Sequence, residues 1–140
     1  MAHPIADEAP AMRYRFAMTL DRNLAIFAAF NGAMAVAIGA FAAHGAGPAI
    51  KTLLTTGAHY QIVHAVLALV CAAWPMRTRL VSVAGWLACV GGLIFCLALA
   101  FIALLSMPAM GAVAPIGGVL MIAGWLLLAF AAFGKAQSDA

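Results

Sequence analysis

The sequence predicts an all-α integral membrane protein, a bundle of four transmembrane helices, and three observations support this prediction. Hydrophobic residues make up 67% of the 140 residues and charged residues only 8%, whereas an ordinary soluble domain is about half apolar and about a quarter charged. A soluble domain of this length exposes too much surface to hide so many apolar side chains. Four apolar stretches also reach the length of about 20 residues that a helix needs to cross the hydrocarbon core.

The four spans follow one another with short connections, and none shows the alternation with a period of two that marks a membrane barrel. We expect them at about residues 24–43, 57–74, 80–105 and 112–133. Residues 22–133 then form the transmembrane domain, residues 1–21 a disordered cytoplasmic segment, and residues 134–140 a short cytoplasmic tail. The second span should stop before Pro75, because proline interrupts the hydrogen bonding of a helix.

The link between the first two spans is more than a simple linker. Gly47 and Pro48 predict a helix start, and Ile50, Leu53 and Leu54 recur at helical spacing. We therefore expect a short helix within residues 45–56, lying in the outer membrane interface with its lysine towards water.

Basic residues are placed asymmetrically about the spans. Six of them flank the ends that share a side with the N-terminus: Arg13, Arg15, Arg22, Arg77, Arg79 and Lys135. Lys51 stands alone on the other side. Because Lys and Arg concentrate in cytoplasmic loops, both termini should face the cytoplasm of a multi-pass protein of the plasma (inner) membrane. The net charge of +3 is too small to indicate a nucleic-acid partner.

A secretory signal peptide is the alternative interpretation of the first span. The arginines before it resemble a basic region, and Ala40-Phe41-Ala42 has the form of a cleavage tripeptide. The long polar segment before the apolar stretch, and a stretch long enough to span, favour a retained helix.

Ionisable residues inside a membrane span are functional candidates because burying them costs free energy. No Asp, Glu, Lys or Arg lies within any predicted span, which makes proton-coupled transport and intramembrane protease chemistry improbable. Histidine remains, with His44 at the outer end of the first helix and His59 and His64 at the start of the second. One interpretation is that these imidazoles are neutral and hydrogen-bonded to neighbouring helices or to a backbone carbonyl. The alternatives are a metal or haem site on His44 and His64, a bound small molecule, or a histidine that transfers protons.

Small residues predict close helix packing. Gly32 and Gly39 mark the first helix, Gly91 the third, and Gly117 and Gly118 the fourth, and small side chains let membrane helices approach closely. One such face could instead mediate homodimerisation. The three cysteines lie inside apolar runs, without metal-ligand spacing, and are interpreted as core residues.

Several segments, taken in order, resemble the domain-of-unknown-function family 423, the YgdD-like small inner-membrane proteins. They are Gly39-Ala-Phe-Ala-Ala-His-Gly45, Thr56-Gly-Ala-His-Tyr-Gln-Ile-Val-His64, Ala114-Pro-Ile-Gly-Gly118 and Ala123-Gly-Trp125. The resemblance covers about residues 22–133 and implies a four-helix membrane fold without an established activity. In that family the third helix usually carries a Phe-Ser-Gly-Ser-Leu-Tyr-like stretch, whereas this chain reads Phe95-Cys-Leu-Ala-Leu-Ala-Phe101. This departure favours a packing role over an activity that needs those hydroxyls.

The predicted topology brings the resembling segments to the outer end of the bundle. We therefore hypothesise an outer-face pocket or partner surface, and a cluster of helix ends with a purely structural role explains the same pattern. The cluster consists of His44, Tyr60, His64, Pro115 and Gly117.

These observations favour a non-enzymatic helix bundle that acts as a structural or accessory interaction protein. Besides the lipid bilayer, its partners would be further copies of the chain or another membrane protein. The alternative is a protein that binds or transports a small molecule, lipid or ion through the outer His/Tyr cluster. A membrane enzyme or redox carrier using His44 and His64 is a third hypothesis, but we predict no catalytic, cofactor-binding or metal-ligating residue.

Overall fold

A computed structural model describes residues 20–75 and 78–136, with side chains to residue 133. Four long helices account for most of this part of the chain, which contains no strand. They are α1 (Arg22–His44), α2 (Pro48–Ala72), α3 (Arg79–Leu105) and α4 (Ala114–Ala136), with a short 3-10 helix at Pro108–Ala112 before α4. All four spans are long and apolar enough to cross a membrane, so the prediction of an all-helical protein with four spans is confirmed.

The helices pack as an antiparallel row. Helix α1 packs mainly on α2, α2 on α3, and α3 on α4, so that α2 and α3 occupy the central positions. The α1–α2 and α3–α4 connections lie at one end, called here the Gly45 end. The opposite end, where α1 begins and α2 meets α3, is called the Asp21 end. Short links produce this order because they leave each helix beside its neighbour in sequence.

The second helix differs from the prediction. It runs without a break from Pro48 to Ala72, so the separate interfacial helix expected within residues 45–56 is wrong: its residues form the first turns of α2. Pro48 does start the helix as expected. Gly57 lies inside this continuous helix, where its lack of a side chain allows close packing: a Cβ atom there would lie 3.2 Å from Cys96 Cα. The helix ends before Pro75, as predicted.

Small residues hold α3 and α4 in backbone contact. A Cβ atom at Gly117 would lie 2.7 Å from Gly91 O, and one at Gly124 would lie 2.9 Å from Ala84 O. The packing role predicted for Gly91 and Gly117 is confirmed. It does not extend to Gly32 and Gly118, since a Cβ atom at either would meet nothing within 4 Å.

The core between the helices consists largely of alanine, leucine and cysteine. Cys71, Cys89 and Cys96 are all buried and carry free thiols, which confirms their interpretation as core residues. The largest buried cluster lies towards the Asp21 end, where Leu24 and Ala28 of α1 pack with α2 and α3.

Polar groups tie the helices together at the Asp21 end. Asp21 caps α1 by accepting a hydrogen bond from Leu24 N–H at 3.3 Å, and its other carboxylate oxygen accepts one from Ser82 Oγ of α3 at 2.9 Å. Its own N–H donates to Ala72 O of α2 at 2.9 Å. Asp21 therefore joins three helices. Thr78 caps α3 in a similar way, since its hydroxyl accepts a hydrogen bond from Val81 N–H.

The described basic residues separate by end. Arg22 and Arg79 begin α1 and α3 at the Asp21 end, and Lys51 lies in the first turn of α2 at the Gly45 end. The expectations for Arg13, Arg15, Arg77 and the side chain of Lys135, and the predicted disorder of the N-terminal segment, fall outside the described residues.

Candidate functional site: a polar network between the helices

Two buried amides join α1 to α2. Asn31 and Gln61 expose only 3% and 1% of their surface. Asn31 Nδ2 donates to Phe27 O, one turn earlier in α1, at 3.0 Å, and Gln61 Nε2 donates to Asn31 Oδ1 at 3.0 Å. Hydrogen bonds between side chains are a main means of joining helices in a membrane, where burial of apolar surface gives no advantage over lipid.

A second link runs from α2 to α4 through His64. Its Nδ1 lies 2.7 Å from Tyr60 O, and its Nε2 lies 3.2 Å from Trp125 Nε1. A backbone carbonyl only accepts and an indole N–H only donates. The ring must therefore carry its proton on Nδ1 and accept at Nε2, which is a neutral imidazole with both nitrogens bonded.

Aromatic rings surround His64. Tyr60 stacks on it with ring centroids 6.3 Å apart, and Trp125 meets it edge-on at the same separation. Phe95 of α3 contacts Tyr60 edge-on at 5.2 Å. The imidazole is buried, whereas Tyr60 and Trp125 are about half exposed on the outer surface of the bundle.

The network lies near the middle of the helices. Trp125 is the central residue of α4, and Gln61 lies one residue beyond the centre of α2. Because α2 begins at Pro48 rather than Gly57, His64 lies about 24 Å along the axis from the helix start, instead of the roughly 10 Å that the sequence predicts, at about 1.5 Å per residue. The buried polar groups are therefore deeper than an outer-face cluster requires.

The structure brings some residues of the hypothesised cluster together and leaves others apart. Tyr60 and His64 are in contact. Gly117 packs against the backbone of Phe95, whose ring contacts Tyr60. His44 and Pro115 are exposed, and among the described residues no hydrogen bond or ring contact links either of them to His64. Helix rise puts His44 more than about 10 Å from the level of Tyr60, since Gly39 is level with Ala58.

Sequence reasoning missed three members of the network: Asn31, Gln61 and Trp125. Ionisable groups are not the only costly residues in a span, since neutral amides are also costly to bury without a partner. Asn31 and Gln61 are the only amide side chains within the predicted spans, and this was the available signal. Nothing in the sequence pairs them, because pairing depends on how α1 and α2 face each other.

One polar atom of the network lacks a partner. Gln61 Oε1 is buried without a hydrogen bond. The other buried polar groups of the network bond to one another or to backbone. The network can therefore join the helices and accept one further hydrogen bond. Within the described part of the chain, no three His, Cys, Asp or Glu residues lie together as metal ligands would.

Comparison with known proteins identifies the chain's relatives. A family model described as "Protein of unknown function (DUF423)" matches residues 38–118. The chain is 39% identical over 111 residues to a UPF0382 membrane protein of Staphylococcus epidermidis, covering 76% of this chain and 91% of that protein. It is 35% identical over 113 residues to one of Staphylococcus aureus, covering 77% and 93% respectively. No solved structure matches the chain. The chain belongs to the DUF423 family of membrane proteins.

Proposed function

We propose that the protein is a non-enzymatic helix bundle of the inner membrane that acts as a structural or accessory partner of other membrane proteins or of further copies of itself. The observation that carries this proposal is the use of the buried polar side chains. Two hydrogen bonds join neighbouring helices: one between Asn31 and Gln61, and one between His64 and Trp125. Side chains bonded in this way stabilise a scaffold, and within this network Gln61 Oε1 alone is left to accept a further hydrogen bond.

The dimensions of the links support the same proposal. Only Gly45–Gly47 separate α1 from α2, and the α3–α4 link is mostly a short 3-10 helix. Such links offer little surface to a soluble substrate. A partner therefore meets chiefly the outer faces of the helices, where large apolar side chains such as Ile122, Leu126 and Phe130 of α4 are exposed.

We also propose that both termini lie in the cytoplasm and that the first helix is retained. Arg22 and Arg79 lie at the Asp21 end and Lys51 at the other, in agreement with the excess of basic residues expected on the cytoplasmic side. Retention of α1 is supported by Asn31, because cleavage after Ala42 would leave the buried Gln61 amide without the acceptor that it uses.

A native mass spectrum of the protein, released gently from its own membrane, tests this function. The proposal predicts an assembly of two or more intact chains, or an intact chain with a stoichiometric second polypeptide. A bare monomer would contradict it. A single chain carrying only a lipid, a metal or another small molecule would favour the alternative of a ligand-binding bundle, and a chain that begins after Ala42 would show that α1 had been removed as a signal peptide.

A substitution at His64 distinguishes the accessory role from the ligand-binding alternative. His64→Leu removes the imidazole beside Tyr60 and Trp125 while keeping a side chain of similar size. Loss of the associated polypeptide with unchanged helix content supports the accessory role. Loss of a bound small molecule, with assembly intact, would overturn it in favour of the alternative.

A further inference from the structure

The unpaired oxygen of Gln61 is determined by the order of donors and acceptors along the network. Phe27 O can only accept, so Asn31 must turn its Nδ2 donor towards it. Asn31 Oδ1 then faces Gln61 and must receive its Nε2 donor. Gln61 Oε1 is what remains, and exchanging the two ends of either amide would only bring two acceptors together. The unpaired atom is therefore a consequence of the chain's chemistry and not of how the amides are oriented.

An unpaired acceptor in this position is costly. Gln61 exposes 1% of its surface, and a buried polar group without a partner destabilises the folded protein. An apolar side chain of similar size would avoid this cost. Buried polar groups that lack a protein partner are commonly satisfied by internal water, which forms two to four hydrogen bonds at such sites.

The surroundings of Gln61 restrict what can bind there. The ligand must donate a hydrogen bond, since the free atom is an amide oxygen. It must also be neutral, because the acidic residues of the chain are Asp7, Glu8, Asp21 and Asp139, so none lies within the four described helices α1–α4 to balance a cation. It must be small, because Asn31, Gln61 and His64 are all nearly inaccessible.

We propose that Gln61 Oε1, together with the adjoining helix backbone, forms an internal binding site for one water molecule near the middle of the membrane domain. Helix carbonyls keep a second lone pair, so the neighbouring turns of α1 and α2 offer acceptors for the other hydrogen of the water. The water completes the hydrogen-bond chain from Phe27 O through Asn31 and Gln61.

Nuclear magnetic resonance of the full chain in phosphatidylcholine nanodiscs tests the proposal, with water itself as the probe. The protein contains two glutamines, Gln61 and Gln137, so Gln137→Ala leaves a single side-chain signal after labelling with glutamine 15N in the amide. We expect cross-relaxation between the water resonance and the Gln61 Nε2 protons, with the sign of a long-lived bound molecule. The methyl group of Ala68, fully buried two turns further along α2, serves as the dry control and should show no such signal.

A second measurement uses the infrared stretch of a 13C-labelled Gln61 side-chain carbonyl in the same variant. We expect this stretch at the lower frequency of a hydrogen-bonded amide. Propionamide with the same 13C label, dissolved in cyclohexane, gives the frequency of an unbonded amide. A stretch at the unbonded frequency would overturn the site. A bonded stretch without water cross-relaxation would overturn water as its occupant and indicate another donor, whose added mass a native mass spectrum would report.

Discussion

At the scale of single residues, glycine has two distinct roles at adjacent positions of α4. A Cβ atom at Gly117 would lie 2.7 Å from both Gly91 O and Phe95 N, which are backbone atoms of α3, whereas one at Gly118 would meet nothing within 4 Å. Backbone cannot move aside as cheaply as the end of a flexible side chain. The same substitution should therefore have opposite consequences at the two positions.

We predict that Gly117→Ala destabilises the protein by about 1–3 kcal/mol through overpacking. Gly118→Ala should be neutral or stabilise it by up to about 1 kcal/mol, since alanine favours helix more than glycine does. The free energy of unfolding, measured by titrating a harsh detergent into mixed micelles, compares the two variants. Equal stability of Gly117→Ala and the native chain would contradict the close α3–α4 contact.

His64 and Trp125 form the second feature at this scale. Trp125→Phe removes the indole N–H and leaves His64 Nε2 without its donor, so we expect a loss of about 0.5–2 kcal/mol, the range for hydrogen bonds between membrane helices. The 15N shift of His64 Nε2 should also move towards that of an unbonded acceptor. Trp86→Phe is the control, because the Trp86 ring is stacked on Phe27 and does not contact His64. An unchanged His64 spectrum in Trp125→Phe would refute the bond.

At the scale of elements, α2 is the helix to which the polar links converge. Its Gln61 bonds to α1 and its His64 to α4, and the two residues lie less than one turn apart. The helices otherwise meet through small apolar side chains, which would tolerate a shift of one helix along its neighbour. The two hydrogen bonds define how far along the axis each pair of helices is aligned. Polar side chains of this kind define the register of helix pairs in other bundles.

A double-mutant cycle tests the α1–α2 link. Asn31→Leu and Gln61→Met each leave a buried amide without its partner, whereas the double variant removes both. We therefore expect the double variant to lose less stability than the sum of the single variants, with a coupling free energy of about 0.6–1.7 kcal/mol. A strictly additive result would contradict a direct Asn31–Gln61 hydrogen bond.

At the scale of the whole molecule, the proposed orientation determines which end of the bundle faces the cytoplasm. The native cysteines are buried, so a single new surface cysteine can be labelled selectively. We expect Ser106→Cys, in the exposed link at the Gly45 end, to react with a membrane-impermeant maleimide in intact spheroplasts. Gln137→Cys should react only after the membrane has been broken. The reverse pattern would invert the proposed topology.

The number and type of the elements were predictable from the sequence because the hydrocarbon core imposes both. A chain crossing it must pair its backbone polar groups internally, and an apolar stretch of sufficient length then forms a helix. The position and length of the apolar stretches therefore predicted α1 and α3 closely. The start of α2 was misplaced because Lys51 and the threonines at 52, 55 and 56 delay the apolar stretch until about Gly57, while the helix itself runs on from Pro48.

The candidate site was only partly predictable for the same kind of reason. Tyr60 and His64 are four residues apart and must share a helix face, so their contact follows from α2 alone. Trp125 meets His64, and Asn31 meets Gln61, only because neighbouring helices pack with one particular rotation and depth. The predicted topology placed His44 in the same cluster. Because α2 begins at Pro48, Tyr60 and His64 lie deeper along the helix axis than His44.

The sequence by itself therefore determined the membrane class, the four helices and their antiparallel order, since these depend on apolar length and short links. Only the tertiary structure decided which polar atoms meet, which glycines touch backbone, and that Gln61 Oε1 is left without a partner. The physical reason is that a hydrogen bond or a backbone contact forms within a few tenths of an ångström. Such precision arises from packing of whole helices and is not encoded in the spacing of residues along any one of them.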